Sequence, residues 1–572
     1  MRGPARSRHA IVRARHAATL VLRIAISTVI PGLRGGREAQ VGGAGTRAGD
    51  DAAFPPTWIA LSLVLALALG ARLLALPGST EGNMDPDSAH LLNIARCFER
   101  GQGFSNPAAW PAWMKPESLP MPETFKEPGY PYAIARLTPL AGGAFRAGLL
   151  LSMLAGLVLP VALYALARNL RFERRVALLA ALLVGANPLA IAMSVRVMVD
   201  SIFPALLTLA FAAAAWRPGD PSRPRPVYWD AVTGALVGAA FLVRAQTLAA
   251  LPALAVLLCF RGPLARGLRA FSVVLGVAIL AASPLLLRNL RLFGTPLYSD
   301  VTAYGIWPYV DTIAFSHGLD RPPAPLAFAL HHLPQVLRHM TQSAVRFAAY
   351  ALPGDIAGNP AWVLPLVAGL ALSLRRDLAF AWIYLGTTMV LVFAVLWDSR
   401  YFASTVPLWS LFTAVGAAWI ARALGALPLA ARLRGRHLLA GALVILLAVQ
   451  TEAARRAVEG LKPGEIGAAR ALAHELRRRL QPDESVMVVT TSFYSWFADR
   501  PTVHLVIADE PDFLATVRRL KVRLAVLPTS RLEPFAARYP GGRLPAALVL
   551  ERSDPTLDVT LFSVREPPAA AR

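Results

Sequence analysis

The sequence predicts a polytopic α-helical membrane protein of about 11 transmembrane helices, with a small C-terminal extracytoplasmic α/β domain. Three observations carry this. The 572 residues are 55% hydrophobic and only 16% charged, where a soluble domain carries about 25% charge. Mean hydropathy is +0.48, too high for a wetted surface. Apolar runs recur along the chain, and the loops between them alternate in Arg content. The first two observations exclude a soluble enzyme, a disordered scaffold and a DNA-binding module. The net charge of +23 therefore reports orientation before partners, and no nucleic-acid partner is expected. The basic residues are nearly all Arg, with Lys only at 115, 126, 462 and 521. Arg over Lys, with abundant Ala, Gly and Leu, suggests a GC-rich bacterial genome. The cytoplasmic membrane of a bacterium is the expected location.

Residues 1–53 are Arg- and Gly-rich. Their apolar patch, Ala17 to Pro31, is interrupted by Arg23. It is short for a span, and no small-residue cleavage site follows it closely. The segment is read as a basic, disordered cytoplasmic tail. The transmembrane domain is taken as 54–451. Its apolar runs are 57–77, 145–167, 176–194, 201–216, 230–243, 246–260, 270–287, 360–374, 378–397, 402–421 and 437–451. Most approach the roughly 20 residues that cross the hydrocarbon as a helix. Helices are the spanning form expected, because lipid offers no water to an open backbone.

Loop charge tests the count. With the N-terminus inside, the inner loops are 168–175 (RNLRFERR), 217–226, 261–269, 375–377 and 431–437, all short and rich in Arg. The long outer loops, 78–144 and 288–359, are sparse in Lys and Arg. Agreement across these loops follows the positive-inside rule. It also favours splitting 230–260 at Arg244, since an odd miscount would invert every later loop. Residues 452–572 then lie outside. There, helix-like stretches (GEIGAARALAHELRRRL, EPDFLATVRRL) alternate with β-rich runs (SVMVVTT, TVHLVI, VRLAVLPT, AALVLE, DVTLFSV). That alternation predicts the α/β domain. Cys97 and Cys259 fall on opposite sides of the bilayer, so both are expected as free thiols.

The first outer loop, 78–144, is the densest in chemistry. Asp85 and Asp87 follow the first span. After them Leu91, Ile94, Ala95 and Phe98 repeat at helical spacing, which predicts an amphipathic helix at the interface. Asp87 near its start suits a helix cap, where the helix dipole favours a carboxylate. The loop returns through KEPGYPYAIARL, with Lys126, Glu127 and Tyr130. Single cations recur at the outer ends of spans: Arg72, Arg196, Arg244, Arg288 and Arg400. A lone Arg there is by default an interface anchor. Together they form a candidate ring at the depth of a lipid phosphate, which Arg binds with a planar fork. Arg196 and Asp200, four apart, are expected to pair on one helix face.

On these residues the chain resembles the GT-C glycosyltransferases that take a sugar from a polyprenyl-phosphate carrier. It is most similar to the family 39-like group, which includes protein O-mannosyltransferases and lipid A aminoarabinose transferases. Family features occur in order from about 57 to 425. They are DSAHLLNIAR (Asp87 to Arg96), GQGF (101–104), KEPGYP (126–131), SVRVMVDSIF, LVRAQTL, SPLLLRNLRLFGTP and SRYFASTVP. Two positions depart from the pattern. Ser88 follows Asp87 where many members carry Glu, and Glu127 stands where Pro is usual.

The resemblance implies a membrane glycosyltransferase with a polyprenyl-phosphate-linked sugar as donor and a glycan, lipid or protein hydroxyl as acceptor. Asp87 is then the catalytic base, with Asp85 as substitute. Lys126, Arg288 and Arg400 are the first candidates for the donor phosphate. Glu127, Tyr130, Arg196, Asp200, Arg244 and Tyr401 are further substrate-binding candidates. No cofactor is assigned, and His90, three residues from Asp87, leaves a divalent metal open. His331 and His332 are read as ordinary loop residues. The alternative is a polytopic lipid or glycolipid transporter, but transporters place functional charges in mid-membrane, whereas here they sit at helix ends and in loops.

Overall fold

The computed structural model describes residues 56–109, 117–218, 225–260, 263–299, 325–374, 378–395, 398–425, 448–456, 463–504, 510–537, 539–554 and 558–565. The tail 1–53 and most of the run 437–451 lie outside them. The described residues from Leu63 onward form one compact unit. Among the described residues, four helical stretches are long and apolar enough to cross a membrane: Thr57–Gly78, Ala144–Asn169, Leu264–Phe293 and Ser399–Ala423. Two bent pairs, Arg174–Gly185 with Pro188–Ser194 and Leu333–Ile356 with Pro360–Leu372, make six if each pair is one span. Four shorter apolar helices stand beside them: Val199–Ala215, Val227–Val243, Ala245–Cys259 and Ala379–Ala394. The chain is a multi-pass membrane protein.

The principal helices among the described residues, in chain order, are α1 (Thr57–Ala75), α2 (Pro86–Glu99), α3 (Gly129–Ala141), α4 (Ala144–Asn169), α5 (Arg174–Gly185), α6 (Pro188–Ser194), α7 (Val199–Ala215), α8 (Val227–Val243), α9 (Leu251–Cys259), α10 (Leu264–Phe293), α11 (Leu333–Arg346), α12 (Val363–Leu372), α13 (Ala379–Ala394), α14 (Val406–Gly425), α15 (Pro463–Arg479), α16 (Thr491–Ala498) and α17 (Glu510–Arg519). The run 176–194 is two helices bent by 56°. Pro188 takes the first helical position of α6, and the Asn187 side chain accepts from the Ala190 N–H. Such a start both ends one helix and caps the next. Arg244 likewise separates α8 from the segment leading into α9, in an extended conformation (φ −160°, ψ 123°).

Small residues let the apolar helices approach closely. The tightest crossing is α12 against α14. A Cβ on Gly369 would meet the Phe412 carbonyl, and one on Gly416 would meet the Pro365 carbonyl. Backbone, unlike a flexible side chain, cannot step aside. Gly369→Leu is therefore expected to abolish accumulation of folded protein in membranes, while Leu at Gly386, where a Cβ meets nothing, is expected to be tolerated. Quantitative immunoblotting of membrane fractions compares the two.

The C-terminal segment packs helices against a six-stranded sheet of order β2-β5-β4-β6-β8-β7. Its strands β4 (Ser485–Val488), β5 (Thr502–His504), β6 (Val522–Leu527), β7 (Leu548–Asp554) and β8 (Val559–Val564) fall on the five β-rich runs. Strand β2 (Ala108–Ala109) does not belong to that segment. It comes from the first long loop and pairs in parallel with β5, Ala108 opposite Thr502 and Ala109 opposite Val503. A division of the chain at 452 therefore cuts through a sheet. The same loop forms a small antiparallel ribbon, β1 (Ser105–Asn106) with β3 (Met121–Pro122).

Helix α2 departs from the expected interface helix. Leu91, Leu92, Ile94 and Ala95 are buried, but so are Ser88, His90 and Asn93. One face packs with α3 and α4. The other meets the C-terminal segment, and Met84, Leu91 and Leu92 share a cluster with Leu472, Leu476, Val486 and Phe493. The polar face is satisfied by protein rather than headgroups. Asn93 donates to the Ser492 carbonyl (2.8 Å), and Arg96 donates to Trp496 O (3.0 Å) and pairs with Asp499 (3.0 Å). Each buried Leu contributes on the order of 1.5–3 kcal/mol, enough to fix α2 between the two layers. Beyond it, Gly101 and Gly103 adopt φ of +71° and +70°. That conformation favours glycine and turns the chain at GQGF.

Candidate active site

The site is assembled from the start of α2, the return segment before α3, the start of α7, the break after α8 and a tight turn before α14. Asp85, not Asp87, caps α2. Its Oδ1 accepts from the Asp87 N–H at 2.8 Å, and Pro86 takes the first helical position. The cap leaves the Asp87 carboxylate free to face two cations. Lys126 Nζ lies 3.1 Å from Asp87 Oδ1, and Arg400 Nη1 lies 2.6 Å from Oδ2. Arg400 is itself held by Asp398, which caps the turn Ser399–Thr405: Asp398 Oδ1 accepts from the Arg400 N–H (3.0 Å), and Oδ2 pairs with Nε (2.9 Å). Burial pushes the Asp87 carboxyl up, but the charges of Lys126 and Arg400 outweigh it and hold it well below the usual range.

This triad opens onto a cavity of about 260 Å³. Its charged lining comprises the cations Lys126, Arg244 and Arg400 and the carboxylates Asp87, Glu127 and Asp200, with Tyr401 beside them. Leu91, Val199, Leu391, Val392 and Val395 form an apolar wall. Arg244 pairs with Asp200, and its guanidinium stacks 5.1 Å from the Tyr401 ring centroid. Glu127 Oε1 accepts from the Ala245 N–H at 2.9 Å and so fixes the chain break after α8. Burial raises the Glu127 carboxyl above its ordinary value.

The Asp200–Arg244 pair yields a stability prediction. The Asp200 side chain is 4% exposed. Arg244→Met strands a buried carboxylate and is expected to cost about 3–5 kcal/mol, whereas replacing both partners with apolar residues is expected to recover most of it. Thermal unfolding of the detergent-solubilised single and double variants measures the difference.

The remaining sequence candidates fall elsewhere. Arg196 precedes α7, which starts at Val199, so the expected four-residue spacing with Asp200 on one helix does not exist. Asp200 pairs with Arg244 instead, and the charge of Arg196 acts on Asp85. Burial and the neighbouring Asp87 both raise the Asp85 carboxyl. Tyr130 is fully buried, bonding Gly148 O (2.8 Å) and Ser152 Oγ (2.7 Å), and does not line the cavity. Arg288 supports the loop: Nη2 donates to the carbonyls of Phe104 (3.0 Å) and Glu123 (2.9 Å). Arg72 leaves the ring altogether, buried with Nη1 donating to Ala68 O and Gly185 O. His331 is exposed and His332 half-buried, and they bond locally to Ala327 O and Gln335. Cys97 and Cys259 are free and buried.

The sequence reading missed Glu123. It is buried beside His90, Nε2 to Oε2 2.9 Å, with Asn106 Nδ2 donating to the same oxygen at 2.8 Å. Burial pushes the Glu123 carboxyl up, and His90 and Asn106 more than offset it, leaving it at about 2. His90 is therefore engaged by a carboxylate and, through Nδ1, by Ser492 Oγ at 3.1 Å. Among the described residues no three His, Cys, Asp or Glu side chains converge as metal ligands. The one sequence signal for Glu123 is its place three residues before Lys126, which is too common a spacing to single it out.

Comparison with known proteins agrees with this architecture. Residues 122–287 match the family described as dolichyl-phosphate-mannose-protein mannosyltransferase. No curated protein matches significantly. Among solved structures, ArnT from Cupriavidus metallidurans bound to undecaprenyl phosphate is similar with a TM-score of 0.55 at 16% identity, over 88% of this chain and 98% of that one. The apo oligosaccharyltransferase of Archaeoglobus fulgidus gives 0.57 at 14% identity, over 90% of this chain and 74% of that one. A further structure of the Archaeoglobus fulgidus oligosaccharyltransferase AglB, in complex with an inhibitory peptide and a dolichol-phosphate, gives 0.55 at 14% identity, over 88% and 74%. The likeness to the GT-C glycosyltransferases read from the ordered motifs is thus present in the fold.

Proposed function

We propose, with the GT-C fold as premise, that this chain transfers a sugar from a polyprenyl-phosphate carrier to an acceptor hydroxyl at the outer face of a bacterial cytoplasmic membrane. The observation that carries this is one carboxylate, Asp87, held between two cations, Lys126 and Arg400, on a cavity with an apolar wall. The wall suits the isoprenoid, and the cations suit the phosphate. No observation favours the transport reading.

In the reaction, the acceptor oxygen attacks the anomeric carbon from the face opposite the phosphate. The bond from that carbon to the phosphate oxygen breaks, and its electron pair stays on the phosphate. Lys126 and Arg400 stabilise this growing charge. The acceptor proton passes to Asp87. One in-line displacement inverts the anomeric configuration. The step as written uses only groups of this chain.

The geometry also sets the basicity of Asp87. Without donor, Lys126 and Arg400 depress its pKa, so it is ionised but weakly basic. A donor phosphate competes for both cations and lifts that pKa toward the operating pH, where a base works best. The profile of kcat/KM reports the free enzyme, so it is expected to show no acid limb from Asp87 at ordinary pH. The profile of kcat, reporting the bound complex, is expected to fall on the acid side at a higher pH. Both are measured with a radiolabelled polyprenyl-phosphate sugar. An acid limb near neutrality in kcat/KM would contradict the ion-paired carboxylate.

A further inference from the structure

Lys126 and Asp87 share a support that touches neither the cavity nor, on the reading above, any substrate. The Glu123 carboxylate uses both oxygens. Oε1 accepts from the backbone N–H groups of Phe125 (2.7 Å) and Lys126 (2.9 Å). Oε2 receives His90 Nε2 at 2.9 Å and Asn106 Nδ2 at 2.8 Å. His90 stands three residues after Asp87 on α2, close to the same helix face. The Glu123 backbone is held as well, by Arg288 on α10. His90 in turn reaches Ser492 of α16. The side chains of both His90 and Glu123 are 3% exposed, and Glu123 does not line the cavity.

We propose that Glu123 is the positioning residue of the site: it sets the separation of Lys126 from Asp87 by tying the return segment to His90 on the helix that carries Asp87. Sliding that segment, or turning α2, would break charge-assisted hydrogen bonds in a buried setting, where they are strong and costly to lose. The arrangement also gives the C-terminal segment a part in the chemistry. Through Ser492 it buttresses the residue that orients the tether. The inference rests on Lys126 being a ligand of the donor phosphate.

The test uses the purified full-length chain with a radiolabelled polyprenyl-phosphate sugar as probe. His90→Asn and Glu123→Leu are expected to raise the donor KM about 10- to 100-fold, the loss of one or two hydrogen bonds to a charged group. Melting temperature and acceptor KM are read alongside. Glu123→Gln keeps an oxygen for the two backbone N–H groups but presents an amide N–H to His90 and Asn106, so it is expected to raise donor KM less than Glu123→Leu, with acceptor KM unchanged. A rise in donor KM alone is not expected of a purely structural residue. If Glu123→Leu fails to accumulate, His90→Asn and Glu123→Gln decide. A donor KM unchanged in folded His90→Asn, or a fall in kcat alone, overturns the proposal. Lys126→Gln separates the two levels. If it leaves donor KM unchanged, the reading of Lys126 falls; if it raises donor KM while the tether variants do not, only the positioning role falls.

Discussion

Asp87→Asn is expected to lower kcat by about 10²- to 10⁴-fold, the range lost with a general base, while the protein accumulates normally. The substitution keeps the size of the side chain and removes its charge. It leaves Lys126 and Arg400 without the anion they share at 3.1 and 2.6 Å. Those cations then meet the donor phosphate without Asp87 as a competitor, so donor KM is expected to fall or stay constant. A lower kcat with an undiminished donor affinity is the signature of a base, because a residue that merely holds the donor would raise KM. Transfer in isolated membranes, measured alongside binding of the labelled donor, gives both quantities. Full activity in Asp87→Asn would move the base to Asp85 or Glu127.

Arg400→Gln is expected to lower kcat and raise donor KM together. One preorganised donor aimed at developing charge contributes about 10²- to 10³-fold to kcat, and here the same group also binds the ground-state phosphate, so donor KM rises too. Its removal also takes away one of the two charges that hold Asp87 down. The folded pKa of Asp87 then moves upward from its depressed value, and any acid limb of kcat/KM moves to higher pH. Lys126→Gln is expected to act the same way. Because both cations contact one carboxylate and, in the proposal, one phosphate, the double variant is expected to lose less than the sum of the two. An additive double variant would show that the two cations serve separate ligands.

Much of the site was legible as residue types in order. Asp87, Lys126, Glu127, Asp200, Arg244, Arg400 and Tyr401 were all singled out from the sequence, and they line one cavity. Charged residues are rare in a chain this apolar, so each one stands out against its background. That same rarity misled elsewhere. Arg72, Arg196 and Arg288 look alike in sequence, each a lone cation near a helix end. Their partners are carbonyls and a carboxylate distant along the chain, such as Gly185 O for Arg72 and Phe104 O for Arg288. A helix of continuous apolar residues does not reveal which neighbour offers its backbone.

The fold divides in the same way. Composition and loop charge sufficed for a multi-pass helical chain with mixed α and β structure after it, because hydrocarbon thickness and backbone hydrogen bonding leave few alternatives. The break at Arg244 was visible because a charge interrupts an apolar run. Three features required the folded chain. Strand β2 joins a sheet almost 400 residues away in sequence, from Ala108 to Thr502. Helix α2 is buried on its polar face as well as its apolar one, since a second protein layer replaces the expected water. Asp85 rather than Asp87 takes the cap, from an extended backbone (φ −68°, ψ 145°) just before the helix.

The sequence by itself determined which chemical groups are present and that they sit at the ends of apolar helices, because spacing and polarity are local properties of the chain. Only the tertiary structure decided which of them meet. Pairing Asp87 with Lys126 and Arg400, and Glu123 with His90, depends on contacts between distant segments, whose geometry is set by packing rather than by any local pattern.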